Sequence, residues 1–283
     1  MKQCEFDING CILRGQRHGQ QGGLPFFALH GWLDNSASFD LLLPKLNGLD
    51  VVALDLPGQG HSDWRVGHGA YNIWQDLFEL LIVAEQLGWS SFGLIGHSRG
   101  AMIATMLAGT FPDKITHLAL IEALTPGVIP VHEAPQQIAS SLKAAISEYK
   151  RPRARNYYPS FAHAVRAREK GVVPLNNTDA TLLAHRGVAE NEHGFYWNND
   201  PRLLFPSEMK LSVEQADVLV AAIPLQIDLI LGSHGIAVDY PDSCARFRRY
   251  NNVRIHELPG YHHLHMSTAC GDVATILNTV LSL

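Results

Sequence analysis

An apolar run, Phe92 to Ile95, stops at a glycine, and a serine then sits between that glycine and a second one: Gly96-His97-Ser98-Arg99-Gly100. Ala101-Met102-Ile103-Ala104-Thr105-Met106-Leu107 continues at helical spacing, so the stretch reads as strand, tight turn, helix. The glycines remove Cβ atoms where strand and helix must nearly touch, and they tolerate the strain such a turn stores. Ser98 lies at the apex, its hydroxyl held above the end of a sheet with the helix N-terminus behind it. Gly-x-Ser-x-Gly in this setting is a nucleophile elbow.

The flanking sequence repeats the same strand-then-helix rhythm. Residues 1 to 17 read as two short strands meeting at Asn9-Gly10, a strong hairpin dipeptide, and Arg14 to Gly23 as a polar, glycine-rich connection. Leu24 to Leu29 and Leu49 to Leu54 are buried strands, with a helix expected between them from about Ser38 to Leu46. Tyr71 to Leu87 reads as a mostly apolar helix beside a sheet, and Ile115 to Ile121 as a further strand. Nearly all-apolar strands alternating with helices imply a parallel sheet covered on both faces. After Glu122 the rhythm breaks. Proline breaks and basic helices (Ser140 to Tyr149, Phe161 to Lys170, Asp179 to Glu190) fill residues 124 to 216, and an aromatic, polar segment, Phe195 to Arg202, precedes the return. Strands resume at Ile223 to Leu231 and Val253 to Leu258, and a last helix runs from about Val273 to the C-terminus. The middle block therefore reads as a helical insertion over the C-terminal edge of the sheet, where parallel sheets bind ligands.

Of the 283 residues, 46% are hydrophobic and 17% charged, enough for one large core, and the net charge of −5 gives no electrostatic reason to expect nucleic acid or an anionic membrane as partner. The start, Met1 to Asp7, has no apolar signal-peptide region, and no apolar run approaches the ~20 residues a spanning helix needs. Four scattered cysteines, Cys4, Cys11, Cys244 and Cys270, argue for reduced thiols and a cytoplasmic setting.

His30-Gly31-Trp32, Asp55-Leu56-Pro57-Gly58-Gln59-Gly60-His61-Ser62, the elbow and Gly260-Tyr261-His262 stand in an order that resembles the α/β-hydrolase fold family over essentially the whole chain. Within it, Pro259 to Met266, Leu183 to Gly187 and Asp200 to Leu203 are similar to the serine hydrolase-like branch, near the haloalkane dehalogenases and epoxide hydrolases. The resemblance implies a mostly parallel eight-stranded sheet with helices on both faces. Residues 1–123 and 217–283 would form the α/β core and 124–216 an inserted helical cap.

A serine hydroxyl is a weak nucleophile until a base takes its proton, and the base needs a third group to orient it. Ser98 is the nucleophile by motif. Among fifteen histidines, His262 matches the family's terminal catalytic loop; its neighbours His263 and His265 compete for the role but are expected to pack or hydrogen-bond locally. The family's usual acid follows the seventh strand, yet Gly232 to Val238 holds no carboxylate before Asp239. Some relatives place the acid after the sixth strand, where Glu122 closes an apolar strand. A carboxylate there is costly unless paired, so Glu122 is preferred and Asp239 stands second. The resemblance assigns the oxyanion hole to the backbone N–H groups of Trp32 and Arg99. His97 is expected to be structural. Arg99, Arg186 and Arg202 could recognise an acidic substrate, though solvated or cap-bridging arginines are commoner. No metal is expected, because no carboxylate or cysteine cluster accompanies the His262-His263-Leu264-His265 tract in the sequence, and no cofactor is implied.

The expected activity is hydrolysis of small-molecule carboxylic esters through an acyl-enzyme, with thioesters and carbon–carbon bonds as alternatives. A serine rather than an aspartate at 98 argues against dehalogenation and epoxide hydrolysis. A non-catalytic binding protein on the same scaffold and a cofactor-free perhydrolase are the competing readings.

Overall fold

Asn9 and Gly10 both take positive φ, 52° and 85°, the geometry of a tight hairpin turn, and they fold β1 (Lys2–Ile8) antiparallel onto β2 (Cys11–Gly19). The computed structural model describes residues 1–281. β2 runs further than the polar composition after Arg14 suggested, because Gly15 to Gly19 pair antiparallel with β4. The chain then builds β3 (Leu24–Leu29), β4 (Leu49–Leu54), α1 (Ile73–Leu87), β5 (Phe92–His97), α2 (Arg99–Thr110) and β6 (Ile115–Ile121).

No α-helix forms over residues 38 to 46. Two single turns of 3₁₀ helix, Ser36–Phe39 and Leu43–Lys45, stand there instead. Asn35 caps the first by accepting the Ala37 N–H, and Pro44 has no N–H to continue a longer ladder.

Between β6 and the next sheet strand lie α3 (Ala134–Lys150), α4 (Phe161–Glu169), α5 (Asn177–Gly187) and a two-stranded antiparallel hairpin, β7 (Val188–Asn191) with β8 (Gly194–Trp197). The hairpin corrects an all-helical reading of this block: the third helix ends at Gly187, and the aromatic run Phe195 to Trp197 is strand. α6 (Val213–Ala221), β9 (Ile227–His234), α7 (Ile236–Asp239), α8 (Pro241–Phe247), β10 (Val253–Tyr261) and α9 (Cys270–Val280) complete the chain. The last two residues of the helix expected to reach the C-terminus lie outside the described residues.

The main sheet has eight strands in the order β1-β2-β4-β3-β5-β6-β9-β10, parallel from β4 to β10. Because side chains alternate along a strand, β3 sends Phe27 and Leu29 to one face and Phe26 and Ala28 to the other. The first face packs on α1, α2, α6 and α8 through residues such as Leu80, Leu107, Val220 and Phe247. The second packs on Phe39, Leu42 and α9 through Val273 and Leu277. A sheet apolar on both sides fixes its strands firmly, so the loops at their C-terminal ends project from a rigid edge.

Candidate active site

Ser98 stands between β5 and α2 with φ 51° and ψ −115°, a backbone conformation that L residues avoid. The turn closes only because its glycines are bare. A Cβ on Gly100 would lie 2.0 Å from the Leu29 carbonyl oxygen, and one on Gly96 would lie 2.6 Å from the Ala101 Cα. The Ser98 N–H donates to the Ile121 carbonyl at 2.9 Å, which ties the elbow to the end of the neighbouring strand. Ser98 itself is half-buried.

The residue after that carbonyl is Glu122, also at positive φ (61°), with its N–H donating to Ile230 O at 2.9 Å. Its carboxylate is fully buried yet well supplied with donors. Oε1 accepts the Gly232 N–H at 2.6 Å, Oε2 accepts the Ile236 N–H at 2.7 Å, and Oε2 lies 3.1 Å from His262 Nδ1. Among the described residues, the loop after β9 brings no carboxylate to His262; it supplies amides that solvate the Glu122 carboxylate, and the bare Gly235 makes room, since a Cβ there would sit 2.1 Å from Oε2. Asp239 lies exposed on α7 with no bond to His262 among the described residues.

With Nδ1 turned to Glu122, His262 has Nε2 left for a substrate or nucleophile. Its carbonyl oxygen accepts from His97 Nε2 at 2.9 Å, which holds the loop after β10 against the residue preceding Ser98. Ser98 Oγ and His262 share no hydrogen bond among the described residues. The geometry joins Glu122 to His262 directly and brings Ser98 to them through the sheet edge and through His97. The backbone N–H groups of Trp32 and Arg99 have no intramolecular partner among the described residues.

A family described as alpha/beta hydrolase fold matches residues 25–267. The chain belongs to the α/β-hydrolase fold family. It is similar to a serine hydrolase-like protein of Danio rerio, 27% identical over 266 residues, covering 90% of this chain and 81% of that one. Among solved structures it is similar to a hypothetical protein of Pseudomonas aeruginosa PAO1, at 36% identity and a TM-score of 0.92 over 99% of this chain and 98% of that one. It also resembles a thioesterase domain from the curacin biosynthetic pathway, at 22% identity and a TM-score of 0.85 over 98% and 99% of the two chains. Family and relatives together make this α/β-hydrolase a hydrolytic enzyme.

The arginines singled out in the sequence are committed elsewhere in this α/β-hydrolase. Arg99 Nη2 pairs with the buried Asp76 at 2.7 Å, and Arg202 Nη2 with Asp200 at 2.6 Å. Arg186 of α5 donates from Nε to both oxygens of Asp55, at 2.9 and 2.8 Å, bridging the insertion to the core. Trp32 makes a second bridge, its Nε1 donating to Leu203 O at 2.8 Å.

The sequence reading missed Asp34 and Arg168. Asp34 is buried, accepts Arg168 Nη2 at 2.8 Å on Oδ1, and meets His263 Nε2 at 3.1 Å on Oδ2. The contacts with His263 and Arg168 hold its carboxyl well below the usual carboxylate range despite burial. His263 is therefore bound non-locally, and folding does bring a carboxylate to the histidine tract. The one available signal was Leu33-Asp34-Asn35, two polar residues directly after the His30-Gly31-Trp32 motif. Burial lowers the His97 and His265 imidazoles, the latter to about 3, so both are neutral at pH 7.

A cavity of about 760 Å³ opens between the insertion and the loop after β3, walled by Leu33, Trp64, Tyr158, Trp197 and Leu204. It is the size of a small-molecule site. Ser98, His262 and Glu122 do not line it; Leu33, next to Trp32, is its nearest approach in sequence to the His30-Gly31-Trp32 motif.

Proposed function

We infer that this hydrolase cleaves carboxylic esters of small or medium acyl groups through an acyl-enzyme. Ser98 is the nucleophile, His262 the base and Glu122 the acid. The observation that carries the reading is the His262 Nδ1 contact with a buried Glu122 carboxylate, one residue beyond the carbonyl that holds the Ser98 N–H. A buried charge so placed stabilises the imidazolium that forms when His262 takes the serine proton.

Ser98 Oγ attacks the ester carbonyl as its proton passes to His262 Nε2. The oxyanion is received by the unengaged N–H groups of Trp32 and Arg99. His262 then returns the proton to the leaving alcohol, and water, deprotonated by the same imidazole, releases the acid. The hydrogen bond from Ser98 to His262 is made when substrate aligns them, as is common for catalytic pairs in unliganded enzymes. Residues 124–216 act as a cap domain over the C-terminal edge of the sheet. The structural likeness to a thioesterase domain keeps thioesters among the substrates to be assayed. Four free cysteines, and no helix among the described residues long and apolar enough to cross a membrane, fit a cytoplasmic setting.

The test is Ser98→Ala against p-nitrophenyl esters of graded chain length, with fluorophosphonate labelling alongside. Loss of turnover and of label is expected. Full ester turnover by the variant would overturn the assignment, and an unlabelled, inactive parent protein would favour a binding role on the same scaffold.

A further inference from the structure

Four histidines crowd behind the elbow, five of the ring pairs among His97, His262, His263 and His265 lying 4.2 to 6.3 Å apart. The proposed hydrolytic chemistry uses one of them. His97 is informative because its tautomer is fixed. Its Nε2 faces the His262 carbonyl oxygen at 2.9 Å, and since a carbonyl only accepts, the hydrogen must be on Nε2. The Nδ1 lone pair is then bare, fully buried and without a hydrogen-bond partner. It points at Asp34 Oδ2 from 3.7 Å. Two acceptors thus face one another in a dry interior, an arrangement that costs free energy unless something electron-poor lies between them.

Asp34 Oδ2 is also 3.1 Å from His263 Nε2. In a tetrahedral site with metal–ligand bonds of about 2.0–2.1 Å, neighbouring donors stand about 3.3–3.4 Å apart. The distances of 3.1 and 3.7 Å straddle that value, and the three donor residues form a single cluster. The outer contacts match as well. Ligating histidines donate their second ring N–H to a carbonyl or carboxylate, and ligating carboxylates are themselves hydrogen-bonded. His97 Nε2 does the first, and Asp34 Oδ1, bound by Arg168 Nη2 at 2.8 Å, does the second. Space is kept by Gly31, where a Cβ would lie 2.7 Å from Asp34 Oδ2 and 2.9 Å from His97 Nδ1.

We propose that Asp34 Oδ2, His97 Nδ1 and His263 Nε2 form a binding site for a divalent transition-metal cation, with zinc the best match to two imidazoles and one carboxylate. His97 needs no proton change to bind. His263 must free Nε2, its hydrogen passing to its own buried, unpartnered Nδ1 or to solvent. The Arg168 charge opposes the cation, so binding is reversible rather than permanent. An ion here ties the loop carrying His262 to the strand carrying Ser98, since His263 follows the one and His97 precedes the other. The site stands on these contacts alone and does not depend on the hydrolytic reading.

The full chain, stripped with chelator and dialysed, is titrated with zinc chloride by calorimetry and with Co²⁺ by visible absorption. The expected results are one saturable zinc equivalent and the intense bands of four-coordinate cobalt. His263→Gln keeps an N–H for Asp34 but removes the ligand, and its zinc affinity is expected to fall by more than about tenfold with metal-free melting close to the parent's. Replacing the exposed His193 by Gln serves as control, with zinc affinity unchanged. The proposal is overturned if the parent shows no saturable binding, if His263→Gln binds zinc as tightly as the parent, or if cobalt gives only the weak six-coordinate spectrum. The cobalt result stands on the parent protein and decides the matter even where the variant does not fold.

Discussion

Replacing Glu122 by Gln separates what the carboxylate does for the fold from what its charge does for the imidazole. The side chain keeps its shape but turns one oxygen into a donor. If the remaining oxygen keeps Ile236 and His262, the new NH₂ group meets the Gly232 N–H, which now stands 2.6 Å from an acceptor. Losing one charge-assisted bond and stranding one buried amide costs about 2–5 kcal/mol of stability. The catalytic cost is distinct. On the proposed mechanism, the imidazolium formed during turnover loses a countercharge whose oxygen now lies 3.1 Å from Nδ1. At a charge separation of about 4 Å and an effective dielectric near 20, that attraction is about 4 kcal/mol, about a thousandfold in rate. The assay is kcat/KM on a p-nitrophenyl ester with the fluorophosphonate labelling rate, and urea unfolding reports stability on the same preparation. A folded Glu122→Gln protein within tenfold of parental kcat/KM, or a comparable collapse in Asp239→Asn, would refute the reasoning. Asp239→Asn is expected to stay within about twofold, because that side chain is exposed on α7.

Three further outcomes are expected. Gly100→Ala drives a Cβ to within 2.0 Å of the Leu29 carbonyl and should lower stability by more than about 3 kcal/mol, read as a shifted urea midpoint, whereas Gly271→Ala, with open space around it, should be nearly neutral. Arg186→Met leaves the buried Asp55 charge without its guanidinium and should cost about 3–5 kcal/mol, with earlier proteolytic nicking of the insertion as a second readout. Burial raises the Asp40 carboxyl to about 6. Its folded state therefore holds the proton more tightly than the unfolded chain, and the stability this lends below pH 4 is lost as pH rises through 6. Asp40→Asn removes that loss, so the variant should gain on the parent between pH 4 and 6 by one to about three kcal/mol and hold the gain at pH 8. A parent–variant difference that does not change with pH would refute this.

The elbow and the parallel strands were legible because burial on both faces leaves no polar residue to blur an apolar run, as in Phe26 to Leu29 or Phe92 to Ile95. Glu122 was legible for the opposite reason, a charge where that pattern forbids one. What escaped was decided by partners remote in the chain or by caps. Asn35 and Pro44 turned an apparent helix into two 3₁₀ turns. The β7–β8 hairpin carries no alternation, since every residue of β8 is half-buried. Asp34 looked like an ordinary loop residue because His263, which it meets, lies 229 positions away.

The two left-handed residues at the edge of the sheet bear on how this protein can vary. Ser98 hangs from the end of β6 by its amide, and Glu122 hangs from β9 in the same manner. The proposed nucleophile and the proposed acid are therefore rungs of one main-chain staircase, spaced by strand pitch and not by side-chain choice. His262 alone arrives on a loop. Thermal loosening or drift in sequence should thus misplace the imidazole first, with the serine and the glutamate still in register when activity has already gone.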